Sequence, residues 1–287
     1  MRTLLTLLLL AVATPAAAKA PKVTLMTFNL PAFPADVGKK KNKDKRVKRF
    51  VKRLKALDHK PDVVALQEVW DDSDKREIRQ KLKDIYPHAH LDTSAGKHGL
   101  LLNSGLMLLS RWPLSDTRLR HYKANKGLEK KAAKKGVLGA RISPPGGKPF
   151  WVFATHLQAQ SKDRHNRTKL KQLGEARDAI RAATAGMTRG TVFLVGDFNL
   201  SVEKNNATLQ AAYALFPGVV DTYDAARTEA TGSTWAGLDD PGKRQRIDHI
   251  WVLNGAVSGA SWIVRTFDKD VSDHLAYWGE FDGGSFR

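Results

Sequence analysis

The chain has 287 residues and no cysteine, so disulfide bonds cannot stabilise it, and it must depend on a hydrophobic core of the kind a domain this size can form. Its 48 Lys and Arg residues outnumber its 29 Asp and Glu residues, which gives a formal net charge of +19 at pH 7. That balance favours partners such as nucleic acid, anionic membranes or polyphosphate, unless the charge serves only solubility.

The first 18 residues are predicted to form a secretory signal peptide. Arg2 precedes an apolar run from Leu4 to Val12, and the small residues up to Ala18 are typical of a cleavage region. The run is too short to span a bilayer, and no later stretch is long and apolar enough to do so. We therefore expect a secreted or periplasmic protein without a transmembrane segment. It would form one monomeric domain over residues 19–287, with a charge of +18 once Arg2 is removed.

The first part of the mature chain alternates buried strands with amphipathic helices. Short apolar runs rich in β-branched residues predict strands over residues 23–30, 61–70 and 104–113. Helical spacing of apolar side chains predicts a helix over residues 39–60, whose other face is almost entirely Lys and Arg. That face is either solvated or a contact for a polyanion. Acidic residues at the start of residues 71–86 are typical of a second helix.

The second part contains the remaining predicted strands and one further helix. Residues 118–135 are predicted to be basic and irregular, and residues 164–185 to be helical. The apolar run at residues 192–195 ends just before Asp197 and Asn199. In an extended chain, residues two apart face the same side, so these two side chains are expected to point together; an ordinary strand-to-turn junction has a similar composition. The other strands are predicted over residues 136–142, 150–158, 246–253, 260–265 and 277–281.

Polar side chains follow strand after strand, at or near the point where each predicted strand ends. One such residue would usually be structural, but a set of carboxylates, amides and imidazoles at strand ends fits one shared cleft. The sequence has no Ser or Cys nucleophile motif, no Gly-rich nucleotide loop and no HExxH pattern. The set therefore predicts metal ligands together with acid–base groups. Its members are Asn29, Glu68, His156, Asp197, Asn199, Asp248 and His274.

These residues lie in an ordered series of motifs that resembles the endonuclease/exonuclease/phosphatase superfamily, which has the DNase I-like fold. The resemblance runs from Val23 to about Phe281. It implies an α/β fold, a four-layered α/β/β/α sandwich with two packed, mainly antiparallel β-sheets. It also implies Mg²⁺-dependent cleavage of phosphoesters, with Mn²⁺, Co²⁺ or Ca²⁺ as additional ions. The motifs are Thr-Phe-Asn29-Leu, Gln-Glu68, Ser104-Gly-Leu-Met-Leu-Leu-Ser-Arg, Thr-His156-Leu, Gly-Asp197-Phe-Asn199, Ile-Asp248 and Ser-Asp273-His274.

The resemblance further implies which residues hold the metal and the phosphate. Glu68 would be the principal metal ligand, with Asn29 beside it and Asp273 as a further ligand. Asp197 and Asn199 would orient the nucleophile and the phosphate.

Two imidazoles would carry the acid–base chemistry. His274 is implied to be the general base, because a carboxylate partner, Asp248, would set its tautomer and raise its basicity. His156 would bind the developing oxyanion or protonate the leaving group. His249 is expected to be structural, because adjacent side chains on a strand face opposite ways. Trp235 either stacks on a substrate or packs within the protein.

Within the superfamily, three segments resemble the secreted bacterial neutral sphingomyelinase C branch. One feature departs from it: the interval between Asp248 and His274 is short, and it lacks the long insertion with exposed aromatic residues that those enzymes use to dock on membranes. The Tyr of their Asp-Tyr-Ile pattern is also replaced, by His249. The matching segments are residues 155–159, residues 135–138 after residues 124–127, and residues 245–248.

We therefore expect a secreted, Mg²⁺-dependent phosphodiesterase that hydrolyses sphingomyelin or a related choline phospholipid. The alternative enzyme is a secreted sugar-non-specific or DNA-specific endonuclease, which the basic charge favours. A non-catalytic, polyanion-binding member of the fold is a third alternative, although none of the expected metal or base residues is missing. In each case a basic face would contact anionic surfaces.

Overall fold

Two six-stranded β-sheets lie face to face in the protein, for which we obtained a computed structural model. The structure describes residues 21–32, 43–93, 103–125, 133–160, 162–187, 190–228, 232–235, 244–254, 257–267 and 269–287. The predicted signal peptide at residues 1–18 lies outside these ranges. Within them, no helix has both the length and the apolar character that a membrane crossing requires.

The first sheet has a parallel pair at its centre, formed by β1 (Lys22–Ala32) and β2 (Val63–Val69). Side chains along β1 alternate between two apolar surroundings, because Val23 and Leu25 face the other sheet whereas Phe28 faces the covering helices. A strand covered on both faces has a continuous apolar sequence, which is the pattern that predicted this strand. Antiparallel partners complete the sheet: β12 (Ala276–Asp282) and β11 (Gly259–Val264) beside β1, and β4 (Met107–Ser110) and β3 (His88–Leu91) beside β2.

The second sheet repeats this plan. Its central parallel pair is β7 (Phe150–His156) and β8 (Thr191–Asp197), which run side by side over their full length. Antiparallel partners again lie on both sides: β6 (Gly136–Ile142) and β5 (Leu114–His121) beside β7, and β10 (Asp248–Val252) and β9 (Val220–Asp221) beside β8.

Helices cover the outer face of each sheet. Parallel neighbours need a crossover connection, and a helix supplies it in both sheets: α1 (Lys43–Ala56) joins β1 to β2, and α3 (Asp163–Ala183) joins β7 to β8. A second helix lies beside each of these, α2 (Asp72–Leu82) beside α1 and α4 (Asn206–Ala214) beside α3. Short 3₁₀ helices occupy Ala225–Arg227 and Gly283–Ser285.

Three apolar clusters separate the four layers. One lies between the two sheets, a second between the first sheet and α1 and α2, and a third between the second sheet and α3 and α4. This arrangement confirms the predicted α/β/β/α sandwich with two mainly antiparallel sheets.

The predicted local structure of residues 118–135 was wrong at its start. Residues 118–135 were expected to be irregular, but the first four of them belong to the strand β5. Most side chains of β5 are exposed, because it forms an edge of the second sheet, and edge strands carry polar and charged residues instead of an apolar run. Residues 126–132 lie outside the described ranges.

Candidate active site

The two parallel strand pairs end at the same edge of the sandwich. In the first sheet, Asn29 near the end of β1 lies opposite Gln67, directly before Glu68. In the second sheet, His156 at the end of β7 lies opposite Asp197 at the end of β8. The antiparallel strand β10 begins at this edge, with Asp248 opposite Asp197. The crossover helices therefore determine where the polar side chains meet, since they force both members of each pair to end together.

Asn29 connects the two sheets within the site. Its Nδ2 donates to Glu68 Oε1 in the first sheet at 3.2 Å and to Asp197 Oδ2 in the second at 2.9 Å. Its Oδ1 is buried and has no hydrogen-bond partner. The amide thus holds two carboxylates of different sheets close together while one buried oxygen is left for a ligand.

Glu68 is held in an unusual backbone conformation. Its φ of 60° lies in the left-handed region, which a residue with a side chain adopts only under constraint. Gly105 packs against it, also with positive φ, and a Cβ there would lie 3.0 Å from the Trp70 ring and 3.1 Å from Glu68 Cα. The Val69 amide donates to the Gly105 carbonyl at 3.0 Å. Only glycine at position 105 permits this approach, and the approach orients the Glu68 carboxylate.

A buried lysine supports the same segment from behind. Lys75, in α2, has no solvent exposure and donates to Asn103 Oδ1 at 2.6 Å and to the Asp92 carbonyl. Asn103 in turn donates to the Trp70 carbonyl at 3.0 Å, and its Oδ1 accepts from the Gly105 amide at 2.8 Å. The chain just after Glu68 and the Gly105 segment that packs against it are therefore anchored to one polar cluster.

His274 and Asp248 form a buried pair. His274 Nδ1 lies 2.8 Å from Asp248 Oδ2, and its Nε2 lies 3.9 Å from Asp197 Oδ2. The Asp248 amide donates to Thr234 Oγ1 at 3.1 Å. Ser272 attaches the loop of His274 to β1, because its Oγ donates to the Asn29 carbonyl at 2.6 Å and accepts from the His274 amide at 2.9 Å. The pair is thus positioned by backbone contacts from two elements.

The second imidazole, His156, contacts a buried lysine. Lys135 Nζ lies 2.9 Å from His156 Nε2, and that nitrogen lies 3.4 Å from Asp197 Oδ2. An ammonium group has hydrogen-bond donors and no acceptor, so His156 Nε2 must accept the hydrogen bond from Lys135. The ring proton of a neutral His156 is then on Nδ1. His156 Nδ1 is buried without a hydrogen-bond partner.

Asn199 reaches the site by a different route from the one expected. Strand β8 ends at Asp197, and Asn199 has a φ of 51°, so strand alternation does not align the two side chains. Instead, the Asn199 backbone amide donates to Asp197 Oδ1 at 2.8 Å, and the Asn199 backbone carbonyl accepts from Lys169 Nζ at 2.6 Å. Local turn chemistry, the alternative noted for this junction, sets its position.

The side chains surround a half-open cleft of about 640 Å³, a size typical of small-molecule sites. Asn29 and Asp248 lie behind its wall, bonded to residues that line it. Asp273 is exposed at its mouth, and Trp235 forms part of its side. The predicted site residues that line it directly are Glu68, His156, Asp197, Asn199, Asp273 and His274.

Comparison with protein families identifies the chain. The model of the Endonuclease/Exonuclease/phosphatase family matches residues 26–274, which include every residue of the cleft named above. The chain belongs to this family. The predicted family is therefore confirmed, and with it the predicted class of phosphoester hydrolases.

Among curated proteins, relatives of this family member include sphingomyelinases. Sphingomyelinase C 2 of Leptospira interrogans is 25% identical over 270 residues, which cover 82% of this chain and 42% of that protein. Sphingomyelinase C of Listeria ivanovii is 24% identical over 222 residues, which cover 70% of this chain and 64% of that protein. The match thus spans less than two thirds of the length of either relative.

Solved structures share the fold. A beta toxin variant from Staphylococcus aureus with bound magnesium ions superposes with a TM-score of 0.76 at 17% identity, covering 90% of this chain and 99% of that one. Sphingomyelinase C from Streptomyces griseocarneus gives 0.72 at 16% identity, covering 91% and 99%. At these identities the superpositions show the fold alone.

Burial and neighbouring charges shift the pKa values of three residues in the candidate active site. Burial raises the pKa of the Glu68 carboxyl, although Lys135 opposes the shift. Burial and the neighbouring Asp248 raise the pKa of Asp197. Burial alone would lower the pKa of His274, but Asp248, Asp197 and Asp273 together outweigh it and raise that pKa. Each shift favours bound protons, so the ionised carboxylates need added positive charge at this site.

Sequence analysis missed several residues of the site. Lys135 was noted only as part of a branch-specific segment, although its buried ammonium lies directly beside His156. Lys75 and Asn103 gave no signal, because a lysine on a helix and an asparagine before a strand are usually exposed. Lys75 falls on the face of α2 that packs against β2, and a lysine on the inward face of a helix is the signal that could have revealed it.

Proposed function

We propose that this protein is an exported, divalent-cation-dependent phosphodiesterase that hydrolyses sphingomyelin or a related choline phospholipid. The observation that carries the proposal is the meeting, in one cleft, of Glu68 and Asp197 bridged by Asn29 with the Asp248–His274 pair. The sphingomyelinase relatives support the choice of lipid, and the predicted signal peptide supports export.

The residues present fit a hard divalent cation such as Mg²⁺. Glu68 and Asn29 would hold it, because Asn29 Oδ1 is a buried oxygen without a partner and Glu68 is a partly buried carboxylate with a raised pKa, which needs positive charge to stay ionised. Among the described residues, donor atoms of Asp197, Asp248 and His274 also lie within 4.8 Å of one another. When bound, the cation would neutralise phosphate charge and oppose protonation of His274.

His274 is the proposed general base. The hydrogen bond to Asp248 occupies Nδ1, so the lone pair that can accept a proton is on Nε2, the nitrogen nearer Asp197 and the cleft. Asp197 would hold the attacking water for this transfer, since its carboxylate lies between His274 and Asn29. A positioned base typically contributes about 10² to 10⁴ in rate.

Lys135 is the proposed stabiliser of the negative charge that develops on phosphate. His156 accepts from Lys135 and has a pKa well below its usual value, because burial and then Lys135 disfavour its charged form. His156 therefore stays neutral and orients the ammonium group instead of acting as a charged proton donor. This assignment gives the oxyanion role, predicted for His156, to the lysine beside it.

The decisive experiment offers the purified protein sphingomyelin vesicles, phosphatidylcholine vesicles, plasmid DNA and RNA in parallel, each with Mg²⁺ and with a chelator control. We expect Mg²⁺-dependent release of phosphocholine with the plasmid intact. Cleavage of plasmid or RNA with the lipids intact would reject the lipid substrate. Cleavage of none of the four by the wild type would reject the enzyme.

One observation favours a nuclease as the second candidate. The exposed face of α1 presents only basic side chains over residues 45–55, which suits a phosphate backbone. Nuclease activity would weaken steeply with salt, by a log–log slope of about −0.9 per phosphate contact on duplex DNA. Hydrolysis of zwitterionic choline lipid would depend less on salt, so the salt series separates the candidates.

A further inference from the structure

A second cleft lies at the opposite end of the sandwich from the candidate active site. It opens beside the start of β8 and the end of α3, whereas Asp197 is at the other end of β8. Six residue steps along a strand separate the two ends, a distance of roughly 20 Å. Its volume of about 810 Å³ exceeds that of the active-site cleft and falls within the range of small-molecule sites.

The floor of this cleft is apolar. The floor side chains belong to, or pack against, the apolar cluster between the second sheet and the helices α3 and α4. The floor residues are Ile180, Val192, Leu215, Phe216 and Leu253. Surfaces of this kind bind alkyl chains, because each buried methylene contributes about 0.8 kcal/mol.

The rim is basic. Lys148, Arg177, Arg181 and Arg287 line it, and no Asp or Glu is among its described lining residues. Lys148 donates to the Phe286 carbonyl at 2.6 Å, and Arg177 pairs with the adjacent Asp178 at 2.9 Å. Arg181 has no ion pair within the described part of the chain and is exposed at the end of α3.

We propose that this cleft binds a single-chain anionic amphiphile, an alkyl chain with a carboxylate or phosphate head. The apolar floor would take the chain, and Arg181 with Lys148 would take the head. Charge complementarity selects an anion, because the described rim offers positive charges and no carboxylate side chain. The proposal does not depend on the reaction at the other end of the protein.

The test is calorimetric titration of the protein with dodecanoate and with dodecyl phosphate, each below its micelle concentration. We expect saturable one-to-one binding of at least one of them, and the ratio of the two dissociation constants identifies the preferred head group. Hexanoate should bind at least about tenfold more weakly, since it buries fewer methylenes. Monododecanoylglycerol, which has the chain without the charge, should also bind at least about tenfold more weakly than the preferred anion.

Arg181→Glu is the variant that tests the rim. It should weaken binding of the preferred anion by about tenfold or more, because a charge-assisted contact is replaced by a like charge. Lys171→Glu, the same charge change at an exposed position of α3 outside the cleft, should leave binding unchanged. Absence of saturable binding, equal binding by Arg181→Glu and wild type, or equal weakening by both variants would overturn the proposal.

Discussion

The buried Lys75 should contribute stability that rises with pH, in the opposite sense to His274, whose raised pKa makes its own contribution fall as pH rises. Burial lowers the pKa of Lys75 to about 8, against an ordinary value of 10.5, although Asp92 and Asp72 oppose the shift. The unfolded chain therefore binds more protons than the native protein between these two values. Stability rises with pH in that window and is independent of this group below it, because the folded protein prefers the neutral amine.

The magnitude follows from the two pKa values. Between about pH 7 and about pH 9.5, linkage gives a gain of about 2 kcal/mol in the free energy of unfolding from this residue alone. Lys75→Met removes the gain. The substitution also removes the hydrogen bonds to Asn103 and Asp92, but it ends the cost of burying a charge. The free energy of unfolding at neutral pH should therefore fall by about 1–3 kcal/mol.

The assay is urea unfolding of the wild type and of Lys75→Met at both pH values. Lys81→Met, an exposed lysine of the same helix, serves as the control. The wild type and the control should gain about 2 kcal/mol more than Lys75→Met on raising the pH. Equal pH slopes in all three proteins would refute the argument, because Lys75 would then titrate alike in the folded and unfolded chains.

Three further predictions concern the active site. Glu68→Gln should abolish Mg²⁺ activation of phosphodiester hydrolysis with an unchanged thermal midpoint, and unchanged activation would remove Glu68 from the metal site. His274→Ala should lose about 10² to 10⁴ in kcat, and Asp248→Asn should add little to that loss in the double variant; fully additive losses would show that the two residues act separately. Gly105→Val should raise the Mg²⁺ concentration for half-maximal activity, because a Cβ there would lie 3.1 Å from Glu68 Cα, and an unchanged requirement would contradict the packing argument.

The sequence pattern located most strands and most members of the candidate site, and the resemblance to the family implied the layers of the fold. Strands covered on both faces have apolar runs, and a polar residue at the end of such a run is conspicuous. Glu68, His156 and Asp197 were identified in this way, and the structure places them in one cleft. The order of the motifs then indicated the family, which the match over residues 26–274 confirms.

Short and exposed elements left too little pattern to be predicted. Strand β5 has few buried side chains, and β3 and β9 contain four and two residues. Such strands form because a neighbouring strand offers unpaired backbone groups, which depends on the sheet and not on their own sequence.

Contacts between distant residues were decided by the tertiary structure alone. Lys135 lies beside His156 because β6 and β7 are neighbours, and Lys75 supports Glu68 because α2 folds back on β2. The left-handed backbone of Glu68 depends on Gly105, which is distant in sequence from it. Local periodicity determines which face of an element is buried. Only the packing of distant elements determines which partner each buried polar side chain contacts.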